Sequence, residues 1–200
     1  MTKKIPNIAI FASGSGSNFQ AIADAIQNEK LEASIALLVC DNSQAFVIER
    51  AKKLQIETLV FNPKSFPSKV DFESMIAQKL IDMNVQLIVL AGYMRIIGET
   101  LLKQFPNRIV NIHPALLPSF PGAHGIKDAY DYGVKVFGVT VHFVDSGVDT
   151  GTIIDQESFK MDNFMTIDEV EEITKIDFFP RLPNSLESIA ESQVNNNICE

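Results

Sequence analysis

VQLIVLAGYMR, residues 85–95, begins with six positions of which only Gln86 is polar. A strand with one wet face alternates apolar and polar side chains. An apolar residue at nearly every position instead implies cover on both faces, as for a strand inside a parallel sheet. Just upstream, Val70, Met75, Leu80 and Met83 recur at helical spacing and predict a helix over Val70–Met83. Outward from this pair, short apolar runs alternate with longer amphipathic ones. Strands are expected over Ile8–Phe11, Ser34–Cys40, Thr58–Phe61 and Arg108–Ile112, and helices over Phe19–Gln27, Ala45–Leu54 and Ile97–Gln104. The rhythm predicts an α/β fold: a doubly wound, mostly parallel central sheet with helices on both faces and right-handed crossovers.

The later part changes character. Val136–Val144 alternates and reads as a strand, with Thr152–Phe159 as its neighbour after the turn DSGVDTG. Thr166–Phe179 reads as a final helix, capped by Thr166 or the polar residues before it. Residues 1–190 are expected to form one catalytic domain, and 191–200 a flexible polar tail.

Apolar residues make up 46% of the 200 and charged residues 21%, with a net charge of -8. That balance argues against nucleic acid as a partner, because phosphate backbones are held by clustered Lys and Arg. A local pocket for one small phosphorylated ligand is compatible with it. Cys40 and Cys199 are too few and too far apart for a metal site or disulfide framework. The apolar run after Met-Thr-Lys-Lys is too short for a secretory signal, and no stretch approaches the roughly 18 apolar residues of a membrane span. The expected location is the cytoplasm.

In doubly wound sheets ligands bind beyond the carboxyl ends of the strands. ASGSGSN (12–18), AGYMR (91–95) and NIHPALLP (111–118) all fall at such ends. The first puts small residues before a helix, whose free N–H groups and partial positive charge suit one phosphate. It lacks the Gly-Lys-Ser/Thr of a Walker loop, and the dinucleotide fingerprint fails because Phe19 holds the third glycine position. A purely structural turn is the alternative. Asn111 and His113, two residues apart on a strand, face the same side. The amide can donate to an oxygen that becomes negative during acyl transfer, and the imidazole can exchange protons near neutrality. The competing reading is a polar strand end solvated at the sheet edge.

HFVDSGVDTG (142–151) supplies a carboxylate for His113 in Asp149, which Gly147 and Gly151 bracket. A carboxylate beside an imidazole favours its charged form. Asp145 competes but closes the strand and can simply cap the turn. His142 reads as a hydrogen-bonded structural histidine, whereas His124 fits a helix cap and a pocket wall equally. No serine or cysteine lies in a nucleophile elbow, and the histidines lack metal-ligand spacing. Direct transfer between two bound substrates, with neither a covalent intermediate nor a metal, is what remains.

These stretches, in this order from about Ile8 to Gln156, resemble the phosphoribosylglycinamide formyltransferases of purine biosynthesis. HPxLLPxxxG alone is shared with other formyl-tetrahydrofolate enzymes; the combination is specific. The resemblance implies a Rossmann-like formyltransferase fold and an enzyme that moves a formyl group from its cosubstrate, 10-formyltetrahydrofolate, to the amine of glycinamide ribonucleotide. It implies small-molecule partners only, with no metal, nucleic acid or membrane, and leaves monomer and homodimer both open. By the same resemblance Asn111 binds the oxyanion, His113 is the catalytic imidazole, and Asp149 raises its pKa. Gly16, Ser17 and Asn18 hold the substrate phosphate. Asn111, Met94, Arg95, Ile96, Ile97 and the turn Asp145, Ser146, Gly147, Val148, Asp149 contact the folate, with Lys69 as a basic residue near it.

The pattern departs near the end: Lys175 stands where the family places a ribose-binding glutamate, and Ile176 where histidine is usual. Glu171 and Glu172 lie about one turn earlier, and Pro183 interrupts a normally longer helix. Three rival readings are set against this one. Methionyl-tRNA formyltransferases add a further domain and basic surface, and formyltetrahydrofolate hydrolases a preceding regulatory domain; length and charge point away from both. The third is a phosphate-ligand binder on the same scaffold, which has no use for Asn111, His113 and Asp149 together.

Overall fold

A computed structural model of the chain describes residues 5–162 and 165–174. Five parallel strands form the first part of a seven-stranded sheet: β1 (Asn7–Phe11), β2 (Ser34–Cys40), β3 (Thr58–Val60), β4 (Leu87–Leu90) and β5 (Ile109–His113). Between them run α1 (Ser17–Gln27), α2 (Val47–Lys53), α3 (Lys69–Asp82) and α4 (Glu99–Gln104). The chain continues through α5 (Gly125–Tyr132), β6 (Val136–Phe143), β7 (Ile153–Lys160) and α6 (Ile167–Ile173). The sheet order is β3-β2-β1-β4-β5-β6-β7, with β6 antiparallel to both of its neighbours.

The two-faced burial expected of VQLIVL is found in β4 and its neighbour β1. Ile8 and Ile10 of β1, with Leu87 and Val89 of β4, pack into one core cluster beside Phe19 and Ile22 of α1. Ala9 and Phe11, with Ile88 and Leu90, pack into the other beside Phe72, Ile76 and Leu80 of α3. Alternation thus survives as a choice between two dry faces. Helix α3 starts where Ser68 accepts from the Asp71 N–H. Helix α6 starts at Thr166, whose side chain and that of Glu169 form a reciprocal capping box. The rest of the expected final helix, including Lys175, Ile176 and Phe179, lies outside the described residues, as does Pro183.

Most element boundaries lie within one or two residues of those expected from sequence. Strand β5 runs on to His113 and stops at Pro114, which has no N–H for the ladder. Helix α5 was not anticipated: it has eight residues and buries only Gly125 and Ala129, so it carries no long apolar stripe to read. The sheet order reverses beside β1, whose neighbours β2 and β4 are connected in opposite directions, and the loops leaving β1 and β4 diverge there. No helix among the described residues is long and apolar enough to cross a membrane.

Candidate active site

The loop after β1 begins its helix through Gly16, which has φ 73 and precedes Ser17, the first residue of α1. A side chain there would meet Val47 of α2, so glycine answers both backbone conformation and close packing. The loop is tied down by Val47 N–H donating to Gly14 O at 3.1 Å and Arg50 Nε–H donating to Ser15 O at 2.9 Å. Asn18, buried at the start of α1, reaches the cleft that opens between this loop, the loop after β4, the end of β5 and the β6–β7 turn.

The cleft has a volume of about 270 Å³. Of the residues singled out from sequence, Asn18, Met94, Arg95, Ile96, Ile97, Asn111, His113, Asp145, Gly147, Val148 and Asp149 line it. Met94, Ile96 and Val148 present exposed apolar side chains around it. Gly16 and Ser17 sit behind Asn18 in the helix-opening turn and do not themselves line the cleft. Neither does Ser146. Lys69 is also set back: its ammonium lies 3.8 Å from Glu73, which is buried and accepts from Gly98 N–H at 2.7 Å. Burial pushes the Glu73 carboxyl up, partly offset by Gly98 and Lys69. Lys69 thus stands behind the Ile97–Gly98 end of the wall instead of inside it. Glu171 and Glu172 do not line the cleft either.

At the back of the cleft Asp149 gathers three polar side chains. Its Oδ1 accepts from Asn111 Nδ2–H at 3.2 Å and lies 3.4 Å from His142 Nε2. Its Oδ2 accepts from Gly122 N–H at 2.7 Å and lies 3.4 Å from His113 Nδ1. Asp149 has φ 53, in the left-handed region that Asp and Asn tolerate better than most residues. Phe120 shares that region at φ 56, a costly place for a bulky side chain, and its carbonyl lies 2.8 Å from His113 Nε2. Both partners of His113 are therefore held by unusual backbone.

The bond pattern orients the polar side chains. An ionised Asp149 requires the amide nitrogen of Asn111, not its oxygen, to face it. The second Asn111 N–H lies 3.2 Å from His142 Nε2, and His142 Nδ1–H donates to Phe143 O at 2.8 Å. His113 differs: both ring nitrogens face acceptors, so only the imidazolium satisfies Phe120 and Asp149 together. Burial opposes that charge and holds the His113 pKa below the ordinary 6.5, while the Phe120 carbonyl and Asp149 pull it up and His142 pulls it down. The sequence-based expectation that Asp149 raises the pKa holds for its own influence but not for the balance, because His113 is almost wholly buried.

His142, expected to be a hydrogen-bonded structural histidine, is buried and hydrogen-bonded, and it also touches this cluster. The strand pairing brings it there, since Asn111 lies opposite His142 across β5 and β6. Phe120 lies within the HPxLLPxxxG stretch and Gly122 closes it, but neither was given a role from sequence. The loop after His113 has further support: Thr140 Oγ1–H donates to Ala115 O at 2.7 Å and accepts from Leu117 N–H at 3.0 Å, and Gln156 Nε2–H donates to Leu117 O at 2.8 Å. His124 proves to be the exposed N-cap residue of α5, with no side-chain cap bond.

Residues 6–176 match the family described as formyl transferase. The phosphoribosylglycinamide formyltransferase of Bacillus subtilis (strain 168) is 51% identical over 164 residues, covering 82% of this chain and 84% of that protein. The human trifunctional purine biosynthetic protein adenosine-3 is 33% identical over 98% of this chain, which spans 20% of its length. Among solved structures, glycinamide ribonucleotide transformylase 1 from Geobacillus kaustophilus superposes with a TM-score of 0.90 at 46% identity, over 94% of this chain and 100% of that one. The enzyme of the same name from Symbiobacterium toebii gives 0.90 at 37% identity, over 94% and 89%.

Proposed function

The chain belongs to the formyl transferase family, and from that premise we propose that it transfers a formyl group from 10-formyltetrahydrofolate to the amine of glycinamide ribonucleotide in purine biosynthesis. The observation that carries the reading is the meeting of Asn111, His113 and Asp149 at the back of one cleft. The helix-opening loop with Asn18 lies at its edge, and apolar walls run along its mouth. Met94, Ile96 and Val148 suit a flat heterocycle, whose burial would cover them. The N–H groups at the start of α1, around Ser17 and Asn18, suit the substrate phosphate.

The amine nitrogen attacks the formyl carbon, and the carbonyl electron pair moves onto oxygen as the new C–N bond forms. Asn111 serves that oxyanion, and His113 joins it once its Nε2 leaves the Phe120 carbonyl. Both Asn111 N–H groups are engaged at rest, so one must turn toward the oxygen. The contact with His142 is the one released, because the bond to the Asp149 carboxylate is charge-assisted and stronger. The incoming amine surrenders a proton, and the departing folate nitrogen takes one up as its C–N bond breaks. His113 is suited to carry that proton: burial discourages its charge, while Asp149 and the Phe120 carbonyl stabilise it. Direct transfer needs neither a metal nor an acyl-enzyme.

Purified protein given glycinamide ribonucleotide and 10-formyl-5,8-dideazafolate should release dideazafolate, read by absorbance, with formylated ribonucleotide identified by mass. Replacing the ribonucleotide with glycinamide should abolish the signal at matched concentration. Folded protein that binds both compounds and forms no product would refute the assignment.

A further inference from the structure

Ser13 ends β1's path into the phosphate loop and touches the opposite side of the cleft as well. Its Oγ–H donates to Asp41 Oδ1 at 2.6 Å, and the same oxygen accepts from Met94 N–H at 3.0 Å. Its own N–H donates to Gly92 O at 3.0 Å. Asp41, just past the end of β2, has a side chain 10% exposed, and its Oδ2 lies 3.6 Å from Arg95 Nη1. The Arg95 guanidinium lies over the Phe72 ring, 5.7 Å from its centre, and the residue also lines the cleft. One hydroxyl and one carboxylate therefore join the loop that starts α1 to the Met94–Ile97 wall.

We propose that Ser13 and Asp41 form a positioning link that couples the two halves of the cleft, so that a ligand on the phosphate loop tightens binding against the Met94–Ile97 wall, and the reverse. The proposal rests on the reading above of which ligand each half takes. The physical ground is shared ordering. Ser13 Oγ has one hydrogen, spent on Asp41, and a lone pair spent on Met94, so displacing it disturbs two bonds at once. Whichever ligand fixes one loop also fixes these bonds, and the second ligand then has less to order. A brace with only a structural role would hold three strand ends together whatever is bound, and would give no coupling.

Calorimetric titrations of glycinamide ribonucleotide and 5,8-dideazafolate, each alone and each in the presence of the other, separate these cases. In the parent, saturating ribonucleotide should tighten dideazafolate about fivefold or more, and by reciprocity dideazafolate should tighten the ribonucleotide by the same factor. In Ser13→Ala the factor should fall to less than about twofold. Asp41→Asn keeps an acceptor for Ser13 but loses the charge facing Arg95, and should fall between; being isosteric, it also serves if Ser13→Ala does not fold. A parent factor of one, or variants that keep the parental factor, would overturn the link. A parent that binds neither ligand alone would instead overturn the reading of the site, and the link with it.

Discussion

The five-stranded parallel half and the antiparallel flank of β6 and β7 are built on different terms. In the parallel half, β1 and β4 are dry on both faces and feed two core clusters. The flank is thinner: β6 is largely buried, while most of β7 is exposed. Each region alone holds an incomplete site. Asn111 and His113 come from the last parallel strand, and His142 and Asp149 from the first antiparallel one and the turn after it. The seam between β5 and β6 brings them into register, with Asn111 opposite His142 and His113 opposite Thr140. A rigid, doubly covered sheet fixes one set of groups, and a turn outside it aims the carboxylate that organises them.

If that division is right, truncation should cost most stability where both faces are dry. Leu38→Ala in β2, fully buried, should lose about 2–5 kcal/mol in denaturant unfolding. At the seam the effect should move from stability to chemistry. Asn111→Ala should lower turnover roughly a hundredfold or more, the loss of one oxyanion donor being worth about 2.7–4 kcal/mol, with the protein still folded. A loss below about tenfold would break the role given to this amide.

A smaller effect follows from His113. Its pKa in the folded chain lies below 6.5, so between that value and about 6.5, the ordinary value, the unfolded chain binds more protons. Stability from this residue is therefore complete above about 6.5 and is lost as pH falls toward the folded value. Proton NMR should put the His113 midpoint below 6.5, and Asp149→Asn, which removes an upward pull, should move it lower still. An upward move would contradict the electrostatic assignment. The smallest change belongs to the flank: Ile153→Ala in β7, an exposed position, should stay within about 0.5 kcal/mol of the parent.

The same division explains what was legible in sequence. Strands dry on both faces leave apolar runs such as VQLIVL and the core of SIALLVC, and these carried the sheet class and most of its elements. Asn111 and His113 stood out because period-two spacing puts them on one face, and Asp149 because glycines bracket it. At Gly151 a side chain would run into the Phe143 carbonyl, which is why that bracket is glycine. His142 was legible as a hydrogen-bonded histidine but its contact with Asn111 was not, because register across an antiparallel pair is not written in either strand alone. The setback of Lys69 was hidden for a similar reason: its partner Glu73 is one helical turn away, but what turns both toward Gly98 is the packing of α3 against α4. The balance at His113 needed burial, which no local pattern reports.

The account turns on His113 acting where the two halves meet. Turnover of the parent and of His113→Ala, assayed side by side with glycinamide ribonucleotide and 10-formyl-5,8-dideazafolate, tests it most directly. An active parent and a folded variant near background are the predicted result. A folded variant within about tenfold of the parent would contradict it.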